Sequence, residues 1–144
     1  MQLSKHFKLD EFLKSQTATR LNIEEQFNPS EVVINNLKIL VEECLEPLRV
    51  AYKKPIYISS GYRSPKLNTA VKGAKNSQHL KGQAADLEAA NNLDLYNFIL
   101  KMKKEGKLNF DQLINEYPKK GIPSWVHISF INKTTNRNQI LVIT

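Results

Sequence analysis

Apolar residues recur at helical spacing in some stretches of the chain and alternate with polar ones in others, and these two periods set the expected architecture. Val33, Leu37, Leu40, Val41, Cys44 and Leu45 form one helical stripe. Asn28-Pro29-Ser30-Glu31 before it reads as a helix start, with Asn28 as N-cap, Pro29 at the first helical position and Glu31 at the third. Pro47 is expected to end or kink this helix. Leu95, Phe98, Ile99 and Met102 form a second stripe, expected to open at Asp94 and stop at Gly106. Shorter helices are expected over Leu9–Ser15, with Phe7, Phe12 and Leu13 on the apolar side, and from Ser64-Pro65 through Val71, closed by Gly73. Ile56-Tyr57-Ile58 is β-prone and breaks into a loop at Ser59-Ser60-Gly61, and Ala84–Glu88 suits a short strand. Phe110–Tyr117, Trp125–Ile131 and Gln139–Ile143 read as three further strands. Helices come first and strands later, so the expected class is α+β, with a mostly antiparallel sheet and helices packed on it.

At 144 residues, with no repeat, low-complexity tract or linker, the chain reads as one domain over 1–144. The single cysteine excludes a disulfide framework and a Cys-rich zinc finger; Cys44 lies on the apolar stripe and reads as core packing rather than a nucleophile. No apolar run approaches the roughly 18–20 residues that cross a bilayer, so no membrane partner is expected. The opening MQLSKHFKLDEF is broken by charge and lacks a hydrophobic region. Synthesis in the cytoplasm without a signal peptide is the expectation, and action outside the cell would need another release route. The formal charge of +7 is local: of 21 basic residues, eight fall between Arg49 and Lys81 with no acid among them, and the remainder balances the 14 acidic ones. Such a segment suits a polyanion, whether nucleic acid, anionic lipid or anionic cell wall, or is simply a solvated surface.

Two of the three histidines stand in settings that suggest use. His79 and Asp86 are separated by six residues in Ser77-Gln78-His79-Leu80-Lys81-Gly82-Gln83-Ala84-Ala85-Asp86, with Gly82 between to permit a tight turn, and His127 lies mid-strand in Trp125-Val126-His127-Ile128-Ser129. Two imidazoles and one carboxylate are a common catalytic zinc set that leaves a fourth position for water. His6, in a charged segment without ligand company, reads as a surface residue.

The spacing Ser-x-His-x-x-Gly-x-Ala-x-Asp resembles the signature of the zinc D-Ala-D-Ala carboxypeptidase family, which includes phage endolysin L-alanyl-D-glutamate peptidases and vancomycin-resistance D,D-dipeptidases and shares its fold with the hedgehog signalling domain. Ser77, His79, Gly82, Ala84 and Asp86 all fit, a coincidence on the order of once in a million windows at ordinary residue frequencies. Ser60-Gly61-Tyr62-Arg63-Ser64 looks like the family's arginine-bearing loop, and Trp125-Val126-His127 looks like its second-histidine strand. The likeness spans about Pro55 to Phe130, and the first 23 residues also look like those of short phage and prophage members.

The resemblance implies a hedgehog/DD-peptidase-like fold and one Zn2+ on His79, Asp86 and His127, lowering the pKa of a bound water to roughly 7 and polarising the scissile carbonyl. It implies that Arg63 holds a substrate carboxylate or stabilises the oxyanion, and that Ser77 supports the site through hydrogen bonding or caps a turn. One position departs from the pattern. Better-known members carry a general-base Glu or Asp three residues before the second histidine, where this chain has Ser124. Glu116 takes that role if it pairs opposite Trp125, since it would then share the face of His127; a register slip of one residue would turn it away, and Glu88 is the alternative.

The expected function is therefore a zinc metallopeptidase hydrolysing the stem peptides of bacterial peptidoglycan, as a D-Ala-D-Ala carboxypeptidase or an endolysin-like endopeptidase. Its expected partner is the wall peptide rather than nucleic acid, reached through release by a phage or prophage lysis or tail system; the sequence leaves the oligomeric state open, with a monomer favoured. A non-catalytic zinc domain that binds the wall is the alternative raised by Ser124. A basic nucleic-acid-binding domain is suggested by charge alone, and the chain carries no recognised reader motif for it.

Overall fold

A computed structural model describes residues 1–144. Six helices and five strands follow in the order α1 (Leu9–Leu13), α2 (Gln16–Arg20), α3 (Glu31–Leu40), α4 (Glu46–Tyr52), β1 (Tyr57–Ser60), α5 (Pro65–Ala70), β2 (Ala84–Glu88), α6 (Asn92–Lys104), β3 (Gln112–Glu116), β4 (Trp125–Ser129) and β5 (Gln139–Ile143). The strands form one sheet in the order β1-β2-β4-β3-β5, antiparallel throughout except where β5 runs parallel to β3. This is the α+β class expected.

Helix boundaries moved where polar side chains outcompete the apolar pattern. Ser15 does not end the first helix but starts the second: Lys14 is extended and the Ser15 hydroxyl accepts from the Ala18 N–H. At α3 the N-cap is Ser30 rather than Asn28, its hydroxyl accepting from Val33 N–H at 3.3 Å, which makes Glu31 the first helical residue. Asn91, not Asp94, caps α6, accepting from the Asp94 N–H.

Pro47 neither ends nor breaks its helix. Val41–Leu45 widens into a π-turn in which the Glu46 N–H reaches back to the Val41 carbonyl, and α4 continues through Pro47 to Tyr52. Proline offers no N–H to the carbonyl four residues earlier and its ring crowds it; a widened turn just before absorbs that mismatch. Lys53, in the left-handed region, then stops the helix.

The sheet has two unlike faces. Ala85, Leu87, Leu113, Val126 and Ile128 belong to one core with Leu37, Leu40, Cys44, Leu48, Leu95 and Ile99 of the helices. Cys44 is fully buried there, and burial pushes its thiol up to about 12, as core packing requires. Because side chains alternate along a strand, Asp86, His127 and Glu116 fall on the opposite face, away from this core. His6 is not a free surface residue: its N–H and Nδ1 both engage the Glu46 carboxylate, at 2.8 and 2.6 Å, tying the N-terminal arm to α4.

Candidate active site

His79 is presented by a 3-10 turn, Gln78–Lys81, rather than by a strand. The Ser77 hydroxyl starts that turn by accepting from the His79 N–H at 3.2 Å. Gly82 ends it at φ +72, and a Cβ there would lie 2.8 Å from the Val33 carbonyl oxygen, so only glycine lets the turn sit this close to α3. Chain direction then reverses into β2, which carries Asp86 directly opposite His127 of β4. Facing residues on adjacent antiparallel strands hold their Cβ atoms about 5 Å apart, and Asp86 Oδ1 thereby reaches His127 Nδ1 at 3.1 Å and His79 Nε2 at 3.3 Å. The two imidazoles stand at 67° to each other with centroids 5.2 Å apart.

The donor set suits a cation. His79 Nδ1 lies 2.6 Å from the Gly61 carbonyl oxygen, which can only accept, so Nδ1 carries a proton and Nε2 is the nitrogen that faces Asp86 and would meet a metal. Two ring nitrogens and a carboxylate oxygen all lie within 4.8 Å of one another, on residues that are buried or half-buried, as a bound metal ion requires. Burial alone would raise the Asp86 pKa, but hydrogen bonds from His127 and His79 and their charge outweigh it and hold the group well below the usual carboxylate range.

These residues line a cleft of about 660 Å³ that also takes in Arg63, Ser77, Glu116 and Trp125. Arg63 is anchored at its backbone, N–H to the His79 carbonyl at 3.0 Å, and its Nη2 donates to the Ser77 hydroxyl at 3.4 Å. Its Nε is buried with no partner. Burial lowers its pKa, partly offset by the nearby Asp86 and Glu116 carboxylates. Ser77 thus serves the turn and the arginine together.

Glu116 pairs with Trp125, and Ile114 pairs with His127, so Glu116 shares the His127 face and enters the cleft. Burial raises its pKa and the Asp86 charge raises it further, against opposing contributions from both histidines and the Trp125 indole. Ser124 turns elsewhere, donating its hydroxyl to the Tyr117 carbonyl at 2.7 Å. Glu88 sits further along β2 opposite Tyr57 and outside the lining of the cleft. Of the basic segment, Arg63 and Lys72 reach the cleft, whereas Lys54 pairs with Asp94 at the start of α6.

Two features had no sequence signal strong enough to single them out. One is the Gly61 carbonyl, a backbone group that orients His79. The other is Asp111, a wholly buried carboxylate just before β3 that accepts from Arg137 N, Nε and Nη2 and from Gln78 Nε2, the neighbour of His79. A lone acid entering an apolar strand was the only available hint.

No helix is long and apolar enough to cross a membrane. Among curated proteins no match emerges. The model of the family described as peptidase M15 matches residues 5–129, a span that contains Arg63, Ser77, the three candidate ligands and Glu116, and the chain therefore belongs to the peptidase M15 family.

Proposed function

We infer that the protein is a zinc-dependent peptidase that hydrolyses a peptide bond in the stem peptides of bacterial peptidoglycan. The observation that carries this reading is the meeting, in one cleft, of the His79–Asp86–His127 set with a separate carboxylate, Glu116, that takes no part in it. Zinc held by His79 Nε2, an Asp86 oxygen and His127 would act as a Lewis acid on the scissile carbonyl and on water.

The chain's own residues supply the rest. Glu116 accepts the proton of the attacking water and returns it to the departing amine; burial and the neighbouring negative charge favour its taking that proton. Arg63, fixed by the Ser77 hydroxyl and with an unpartnered Nε, offers its fork of donors to a substrate carboxylate or to the oxygen that becomes negative during attack. The Gly61 carbonyl keeps the His79 ring in one orientation throughout. Trp125 and Tyr117, with ring centroids 5.4 Å apart, wall one side of the cleft. The proposal extends to the place of action, the bacterial wall, reached through a phage or prophage lysis or tail system. The likeness of the N-terminal stretch to short phage members supports that route.

A non-catalytic wall-binding module is the second reading, and Ser124 is its motive. Glu116 supplies on the adjacent strand the carboxylate that Ser124 lacks, which favours hydrolysis. Purified wall fragments incubated with the protein, with chelator, and with chelator followed by zinc decide between them. Release of free amino groups that stops on chelation, returns with zinc and is absent in His79→Ala is expected; wall binding without any release would leave only the module.

A further inference from the structure

The cleft does not end at the candidate ligands. Past Arg63, Val71 and Asp86 it continues into a cavity of about 310 Å³. Lys14, Ser15, Gln16 and Ser59 line both that cavity and a neighbouring one of about 650 Å³, bounded further by Arg20, Phe27 and Ile58. The result is one trough running from the site toward α1 and α2. Its course follows from two local breaks in regularity. Ser15 restarts the helix and leaves Lys14 extended between α1 and α2, with Arg20 the last residue of α2. In β1, Ile58 pairs with Leu87 and Ser60 with Asp86, so Ser59 is left out of the ladder as a bulge; its hydroxyl donates to the Asp86 main-chain oxygen at 3.2 Å. The floor of the trough thus abuts the back of a candidate ligand.

Cations outnumber carboxylates in the two outer cavities. Asp86 is the single carboxylate lining either outer cavity, and it is already engaged by both histidines. Lys14 and Arg20 are exposed and neither is ion-paired within the chain. Hydroxyls and an amide (Ser15, Gln16, Thr19, Ser59) surround them, and Phe27 gives an apolar wall. Two free cations beside a largely apolar lining that carries a few hydroxyls, in line with a peptide-cleaving centre, suit an extended peptide with negative charge at a distance from the bond that is cut.

We propose that this trough is a substrate subsite in which a carboxylate of the peptide, remote from the scissile bond, docks between Lys14 and Arg20. The subsite rests on the peptidase reading for its role in turnover, but its recognition of an acidic peptide is a binding property of the trough itself. A stem peptide with a free carboxylate away from the scissile bond meets the requirement, and the same peptide amidated at that carboxylate does not. The enzyme then discriminates between the two peptides by that charge.

The test uses two synthetic stem peptides identical except that one remote carboxylate is free or amidated. Their binding to the metal-free protein is measured by calorimetry, and their kcat/KM is measured with the zinc-loaded protein. Charge-assisted contacts of this kind predict about tenfold tighter binding of the free acid at low salt, weakening as ionic strength rises. In the Lys14→Ala/Arg20→Ala double variant the acid-to-amide ratio falls toward one in both measurements. Both positions are exposed, and a circular dichroism spectrum checks that the variant folds. Lys101→Ala, an exposed cation on α6, keeps the wild-type ratio. Equal binding of the two peptides by wild type, an unchanged ratio in the double variant, or the same loss in Lys101→Ala would each overturn the proposal. If neither peptide is hydrolysed while the binding preference holds, the peptidase reading fails and the subsite stands.

Discussion

Gly61→Ala adds one methyl group at the point where the fold and the site meet. Built on the present backbone, that carbon lies 2.7 Å from Phe12 Cα, 2.8 Å from Phe12 Cβ and 2.8 Å from the Phe12 carbonyl oxygen. Ordinary contact needs at least about 3.4 Å, so something must move by roughly 0.6–0.7 Å. Phe12 cannot yield cheaply: its side chain is fully buried, and its carbonyl accepts from the Tyr62 N–H at 2.8 Å, on the far side of Gly61. Overpacking a rigid contact costs about 1–3 kcal/mol, against a gain of roughly 0.4–1 from the less flexible unfolded chain. A net loss of about 1–2 kcal/mol follows, measured by urea unfolding of the metal-free protein. The strand can relieve the clash only by carrying the Gly61 carbonyl away from α1, and that carbonyl is 2.6 Å from His79 Nδ1. Loss of such an orienting contact weakens metal affinity by about 10–100-fold. Wild-type stability together with wild-type zinc affinity in Gly61→Ala would refute both the packing and the linkage.

Asp111→Ala strands three donor contacts from Arg137 and one from Gln78; with Arg137 able to resolvate, the expected loss is about 2–3 kcal/mol at pH 7 by urea unfolding. The Arg137 hydrogen bonds hold the Asp111 carboxyl below its ordinary value against burial. Its stabilisation is therefore full above about pH 4 and fades as pH falls through the folded value, so the gap between wild type and variant should narrow in acid. Glu116 has the opposite sign: its raised pKa means the ionised group costs stability in the metal-free fold at neutral pH. Glu116→Gln should be up to about 1 kcal/mol more stable than wild type at pH 7 in chelator, a gain that vanishes below about pH 4. Saturating zinc at 100 times its Kd should add about 2.7 kcal/mol to wild-type stability in a thermal or urea melt, and nothing comparable to His79→Ala.

The sequence carried the site further than it carried the helix ends. His79, Asp86 and His127 are joined by a short spacing and by one strand register, and the period of two along β2, β3 and β4 puts Asp86, His127 and Glu116 on one face once those strands pair. That pairing was the single condition on Glu116 sharing the His127 face, and apolar alternation satisfies it. Helix starts were misplaced because Asn28, Ser30, Asn91 and Asp94 are all competent caps, and the choice between them depends on how the chain enters the core. The π-turn before Pro47 was hidden because a widened turn leaves the stripe of Leu40, Cys44 and Leu48 on the buried side. Parallel pairing of β5 with β3 depends on the course of the segment from Phe130 to Asn138, which is irregular and held by Arg137 on Asp111. Backbone carbonyls such as that of Gly61 carry no side-chain signature at all.

The central claim is that His79, Asp86 and His127 hold a catalytic zinc on which Glu116 works as general base. The most direct test measures zinc content and the rate of stem-peptide hydrolysis on the same samples of wild type and Glu116→Gln. Removing a general base costs about 10²–10⁴-fold in rate, so the account predicts one zinc per chain in both proteins and a fall of at least about 100-fold in hydrolysis by the variant. Hydrolysis at the wild-type rate by a fully zinc-loaded Glu116→Gln would contradict it.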